Sequence, residues 1–438
     1  MTTLTALTRL PQSNIFGPSD VFVLFGELFG RGYATGLVEQ ARAAGMQIVG
    51  ITVGRRDENN ALRPLTDEEL ATAEVNLGGR IINVPLMAGF DLDAPVGEPT
   101  PTELLNRMTL KSWETDTLDW AHIEKCREIG TRRFRDAVAE VMAQLDGMIG
   151  TGRNVFFAHT MAGGIPRAKV FMVIANRIYK GRGDRFMSSQ NLLDSDLGKL
   201  IMQNFDEVSA NTFGHLIEGS AAIRQRIEAE GGQVRYSAYG YHGTEILVDG
   251  QYHWQSYTNY TQGYAKMRLE RIAREAWDAG VKATVYNCPE IRTNSTDVFA
   301  GVELPLISLL EALKHEGGGV WAEAQWQICR DLLADGVTLE SVLQKVADFQ
   351  GSEVMRRFRD FDAWPMPNSA EQADLTIGTS EDIVALHKDK KALITDHLSN
   401  LVLEATGRIM IRESSAPSGP VLWLNHDIIA RQLNALHG

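Results

Sequence analysis

Cysteine is scarce in this 438-residue sequence: Cys126, Cys288 and Cys329 stand far apart, with no Cys-x-x-Cys pair. An odd, scattered set excludes a disulfide framework and points to free thiols in a reducing cytoplasm. No stretch approaches the about 18 consecutive apolar residues of a membrane span. The opening MTTLTALTRLPQSN lacks the apolar core and small-residue cleavage site of a secretory signal. A cytoplasmic protein is expected. Basic residues are in deficit, 43 against 56 acidic ones, and the net charge of −13 repels nucleic acid and anionic membrane surfaces. G-x-S-x-G, Walker A, HExxH and EF-hand patterns are all missing, so serine hydrolase, nucleotidase and zinc-protein readings lack support. The 10 histidines are scattered and no metal site is expected. Repeats and low-complexity segments are absent too. With 44% hydrophobic and 23% charged residues, disorder, collagen and coiled-coil rods are excluded.

What remains is a pattern of buried strands alternating with helices. Val21–Phe25 is a short apolar run bounded by glycine, and it reads as a parallel strand buried on both faces. A glycine-rich turn, a helical pattern over Tyr33–Ala44 and a second strand, Gln47–Val53, complete a β-turn-α-β unit. Further strands are expected at Arg80–Leu86, Asn154–His159, Val234–Tyr241 and Ala283–Asn287. A last one is expected at Arg408–Arg412 or Val421–Leu424. Residues 88–118 read as loop, and 119–147 and 165–230 as mostly helical. The expected fold is α/β, a doubly wound parallel sheet with helical insertions near 87–150 and 180–230. Residues 1–300 would form the main α/β domain, and 301–438 a mostly helical extension packed on it.

Four segments carry chemistry. Gly26-x3-Gly30-x-Gly32 lies where a strand gives way to a helix, where glycines let the backbone approach a pyrophosphate held by the helix N-terminus. At the end of the second strand, Arg55 or Arg56 suits a ribose 2′-phosphate and Asp57 a free 2′-hydroxyl; a plain solvated loop is equally compatible. The tyrosine-rich stretch from Tyr236 leads to Lys266 on a following helix. A phenol and an ammonium together polarise a carbonyl and hold a nicotinamide ribose. Downstream, Cys288-Pro289-Glu290-Ile291-Arg292-Thr293 turns out of a strand, offering backbone groups to a carboxamide and a hydroxyl to phosphate.

With the Ala162-Gly163-Gly164 turn, these motifs stand in the order of the short-chain dehydrogenase/reductase superfamily, which residues 20–300 resemble with insertions. Residues Gln262 and Asn259 occupy the positions that would give Y-x3-K and Y-x6-K. Tyr257 gives Y-x8-K, similar to the larger enoyl-acyl carrier protein reductases and trans-2-enoyl-CoA reductases. Tyr241-His-Gly243-Thr-Glu245 looks like their Y-x-G-x-E segment. Tyr260 is a competing partner for Lys266. Nine residues of regular helix rotate by about 900°, so Tyr257 must precede the helix that carries Lys266.

The resemblance implies a Rossmann-like reductase that adds hydride to the 2,3 double bond of a 2-enoyl thioester, on acyl carrier protein or coenzyme A, in fatty acid synthesis. It implies catalytic roles for Tyr257, Tyr241 and Lys266. Gly26, Gly30, Gly32, Tyr33, Arg55, Ala162, Gly163, Lys266, Ile291 and Thr293 would hold the cofactor. NADH is expected, with NADPH the alternative that Arg55 favours. A homo-oligomer is compatible. The competing readings are a ketone or 3-ketoacyl reductase on the same scaffold and a catalytically silent dinucleotide-binding regulator. Between Arg167 and Arg185 the basic residues outnumber a single acid, Asp184, which suggests a docking rim for a phosphorylated carrier arm.

Overall fold

The apolar runs lie side by side in one seven-stranded sheet, in a computed structural model that describes residues 3–26, 32–164, 166, 168–255, 262–293 and 299–438. Its strands are β1 (Val21–Phe25), β2 (Gln47–Ile51), β3 (Arg80–Ile82), β4 (Val155–His159), β5 (Val234–Gly240), β6 (Ala283–Asn287) and β7 (Val421–Trp423). The order is β7-β6-β5-β4-β1-β2-β3 and every pairing is parallel. The order reverses between β1 and β4, which opens a crevice at their C-terminal ends. Doubly wound sheets bind ligands at such a switch point.

The helices that carry or brace this edge are α1 (Ala34–Ala43), α2 (Trp120–Asp146), α3 (Lys169–Lys180), α4 (Gln262–Asp278), α5 (Ile394–Glu413) and α6 (His426–His437). Side chains alternate along β1, as the pleat requires. Val21, Val23 and Phe25 cluster with Phe134 and Val138 of α2 and Leu269 of α4. Phe22 and Leu24 cluster with Leu37 of α1, Val402 of α5 and Ile429 of α6. A separate apolar cluster, including Phe90, Trp113, Phe171 and Phe205, fills the inserted regions. The three cysteines are free and buried, and no described helix is long and apolar enough to cross a membrane.

Three local readings are corrected. Residues 408–412 are helical, inside α5, so the last strand is Val421–Trp423. It is flanked by the N-terminal segment: Trp423 N donates to Thr5 O and Leu7 N to Trp423 O, at 3.1 and 2.9 Å. An unanticipated hairpin, Thr244–Val248 with Gln251–Gln255, follows β5. Its turn is Asp249-Gly250, both residues at positive φ (51° and 76°), the pairing that a two-residue hairpin turn demands. Arg55 and Arg56 are neither loop nor part of β2; they pair with Leu62 and Arg63 in a small antiparallel ladder.

α1 and α5 cross with their backbones in contact. A Cβ added at Gly36 would lie 2.0 Å from Leu403 O, and one at Gly407 2.3 Å from Gly36 O. Gly407→Ala is expected to lower the unfolding free energy by roughly 1–3 kcal/mol through overpacking, seen as a lower urea midpoint. Gly351→Ala, where nothing lies within 4 Å of the new Cβ, should leave that midpoint unchanged or slightly raised.

Candidate functional site

The strand ends at the switch point bring the glycine turns together. Gly26 leaves β1 at φ 125°, and a Cβ there would meet Met161 N at 2.8 Å. Only a glycine fits that approach. Thr160 N donates to Phe25 O at 2.9 Å, holding the β4 exit beside it. Gly32 and Tyr33 open onto α1, whose first turn has no side-chain cap and no acidic residue. Its leading N–H groups and positive dipole end therefore suit an anion. Gly30 lies outside the described residues.

Ala162 is exposed, and Gly163 and Gly164 follow at φ 104° and 102°. They are braced from behind by the inserted helices. Ser209 Oγ donates to Gly163 O at 3.1 Å, and Asn204 Nδ2 donates to Gly164 O at 2.7 Å. Ser209 sits in a single π-helical stretch, Glu207–Asn211, a distortion that often marks functional positions. Beyond β2, the Arg55 guanidinium donates to Gly54 O at 2.9 Å and Arg56 to Asn60 O at 2.6 Å. Asp57 Oδ1 accepts from Asn59 N and Ala61 N.

Lys266 projects from the first turn of α4 and is 8% exposed. Its ammonium donates to Tyr239 O at 2.8 Å, and burial lowers its pKa to about 8. Tyr239 in turn stacks on Tyr33, with centroids 5.3 Å apart, and donates its hydroxyl to Tyr33 O at 3.1 Å. Lys266, Tyr239 and Tyr33 thus form one continuous chain from α4 across β5 to α1. Tyr241, at the exit of β5, donates to Glu290 Oε1 at 2.8 Å. Ile291 is buried next to Glu290, and Arg292 pairs with Asp396 of α5 at 2.9 Å. Thr293 is described, and residues 294–298 lie outside the described residues. Tyr257 and Tyr260 precede α4 in sequence and lie outside the described residues.

Three buried groups that spacing did not reveal tie these segments together. Glu270, one turn after Lys266 on α4, accepts from His242 Nδ1 at 3.0 Å and from Asn287 Nδ2 at 2.9 Å. Asn287 Oδ1 accepts from His242 N at 2.8 Å. The His242 ring is stacked by Trp364 and Phe361, at 4.0 and 4.6 Å between centroids. Gly240 leaves room for Asn287, and Gly263 for Trp364; a Cβ at either would clash at 2.2 and 2.6 Å. The only sequence signal was Glu270 lying four residues beyond Lys266 on a helix, where both share a face.

A family model described as enoyl-acyl carrier protein reductase FabMG matches residues 3–433. The chain is similar over its whole length to an apo structure of FabMG, a novel type of enoyl-acyl carrier protein reductase. That likeness has 71% identity, 98% coverage of the relative and a TM-score of 0.97. It is also similar to an NADH-bound structure of FabMG, with 61% identity, full coverage of both chains and a TM-score of 0.82. No curated protein sequence matches it significantly.

Removing the shared acceptor should expose the cost of this cluster. Glu270→Leu leaves the His242 and Asn287 donors buried and unpaired, at about 1–3 kcal/mol each. A fall in unfolding free energy of about 2–5 kcal/mol is expected from denaturant titration. Glu270→Gln keeps an acceptor oxygen and should cost less.

Proposed function

The chain belongs to the FabMG family of enoyl-acyl carrier protein reductases, and we propose that it draws hydride from NADH and uses Tyr257, Tyr241 and Lys266 to reduce a 2-enoyl thioester. The observation that carries this reading is Lys266, a buried ammonium with a single hydrogen bond among the described residues, facing the uncapped start of α1 across Tyr239 and Tyr33. NADH, when bound, supplies the hydride that goes to the β-carbon of the substrate. Gly26 and Gly32, with Gly30 between them, would take its pyrophosphate at α1. Lys266 would hold the nicotinamide ribose with its remaining donors. Ala162, Gly163, Ile291 and Thr293 would line the nicotinamide side.

As the β-carbon gains hydride, negative charge develops on the thioester oxygen. A hydroxyl aimed there lowers the barrier because the donor is in place before the charge appears. Tyr257 would supply it, with Tyr241 sharing or orienting the oxygen, and the α-carbon is then protonated. NADH rather than NADPH is supported by the 61%-identical relative whose structure holds it. The engagement of Arg55 and Arg56 within their own hairpin also supports it. Residues 1–300 would hold cofactor and substrate, with 301–438 closing the sheet edge. Residues 196–219 overlie α4, so any assembly of copies would use another face.

The carrier protein would dock on α3. Lys169, Met172, Val173, Asn176 and Arg177 form one exposed stripe at helical spacing, with Met172 and Val173 open to solvent between two cations. Arg182 contributes less, being paired with Glu381 at 3.1 Å.

Two experiments test the reading. Crotonyl thioester should drive NADH oxidation where acetoacetyl thioester does not; the reverse result overturns it. Within the active enzyme, Tyr257→Phe should lower turnover by roughly 10²-fold, as for a lost oxyanion donor, with NADH affinity little changed. If Tyr260→Phe is the inactive variant instead, the role moves to Tyr260.

Reversing Lys169 and Arg177 to Glu should raise KM for a carrier-bound enoyl substrate by about tenfold at low salt. That difference should shrink as screening shortens to about 8 Å at physiological salt. A thioester without the phosphopantetheine arm should respond little. An equal response of both substrates removes α3 as the docking face.

A further inference from the structure

We propose that Glu290 is a positioning residue of the active site, whose carboxyl decides whether the hydroxyl hydrogen of Tyr241 points at protein or at substrate. The inference rests on the functional reading above, which supplies the acceptor, a thioester oxygen. It begins from an arrangement that is awkward for catalysis. Tyr241 stands at the exit of β5 with its hydroxyl donating to Glu290 Oε1 at 2.8 Å. A phenol has one hydrogen to donate, and an ionised carboxylate can only accept. While Glu290 is ionised, the Tyr241 hydrogen is held on the carboxylate and is not offered to an oxygen gaining negative charge. Once Glu290 carries a proton, the acid can donate to the phenol oxygen, and the carboxyl no longer claims the Tyr241 hydrogen, which can then be given to the substrate. No bond other than a hydrogen bond changes; the carboxyl sets a direction.

The surroundings favour the protonated acid near neutrality. Glu290 follows Pro289 in the turn out of β6, half-buried between buried Pro289 and Ile291. Burial raises its pKa to about 7, the Tyr241 hydrogen bond pulls it down, and the like charge of Glu303 raises it further. Among the described residues, the titratable and charged groups around it are Tyr241 on the β5 exit and Glu303 on the short helix Glu303–Leu306. Beyond Glu303 lies Arg292, itself paired with Asp396 of α5. Glu303 is also buried and held toward its protonated form, so the region as a whole resists a second negative charge.

The test uses the full enzyme with NADH and a 2-enoyl thioester between pH 5.5 and 9. In the wild type, kcat is expected to fall by roughly tenfold as pH rises through about 7, the loss of one aligned donor. Glu290→Gln, whose amide can donate to the phenol oxygen at every pH, should keep the high value and flatten the profile. Glu290→Ala, which leaves no carboxylate to take the Tyr241 hydrogen, should lose the fall as well. Tyr241→Phe should show the low value across the whole range, and adding Glu290→Ala to it should change little.

A second readout needs no substrate. A carboxyl raised from about 4.5 to about 7 takes up a proton on folding. Its contribution to stability is therefore present at low pH and lost as pH rises through about 7. That part of the slope, measured by denaturation of the unliganded protein, should be missing in Glu290→Gln. A Gln variant that keeps the wild-type fall in kcat overturns the proposal, as does a wild type with no fall near 7. A wild type inactive on 2-enoyl thioesters overturns the functional reading, and the role of Tyr241 with it, even where the stability difference is found.

Discussion

The structure hinges on one carboxylate with two buried donors. Glu270 accepts from His242 and Asn287 at 3.0 and 2.9 Å, joining the segment after β5, the end of β6 and helix α4 at one point. Those are the segments that present Tyr241, the Cys288–Thr293 turn and Lys266. Buried polar groups resist small displacements, because moving any one of them leaves an unpaired donor in a low dielectric. The rings of Phe361 and Trp364 close over the imidazole from a stretch far along the chain. The C-terminal third thus reaches the site through packing on His242 without adding any of the expected reacting groups.

Lys266 shows the opposite use of burial. Its ammonium is desolvated enough to bring its pKa down to about 8, a cost the fold bears at the position where a polar ligand would restore hydrogen bonds. Glu290 is held up near 7 by the same physics acting on the other sign of charge. Two ionisable groups, one on helix α4 and one in the turn after β6, are thus brought toward neutral pH from opposite directions, a common feature of sites that handle charge in a reaction.

Much of this was legible in the sequence, and for identifiable reasons. The strands of a parallel sheet are buried on both faces and read as uninterrupted apolar runs, so β1, β4 and β6 stood out. The glycine positions at 26, 163 and 164 were visible because their backbone conformations exclude most other residues. The hairpin after β5 was announced by Asp249-Gly250, a turn set among tyrosines that carry their own chemical signal. The His242–Glu270–Asn287 cluster was not legible. Its members come from three separated segments, and a lone histidine has no spacing that distinguishes a keystone from a surface residue. Glu290 stands in the turn that leaves β6, yet only its contact with Tyr241 gives it meaning.

The placement of β7 also bears on how the chain is made. Trp423 lies between β6 and the segment around Thr5 and Leu7, and Gly407 must meet Gly36 before α1 is covered. At a synthesis rate of about 5–20 residues per second, the N-terminal half leaves the ribosome many seconds before either partner exists. Until then, the apolar face beneath α1 and the open edge of β6 have nothing to close against them. Contacts this distant in sequence form late and slowly. The nascent chain therefore carries exposed apolar surface during that interval, and premature termination anywhere before residue 420 would release a protein with an unfinished sheet.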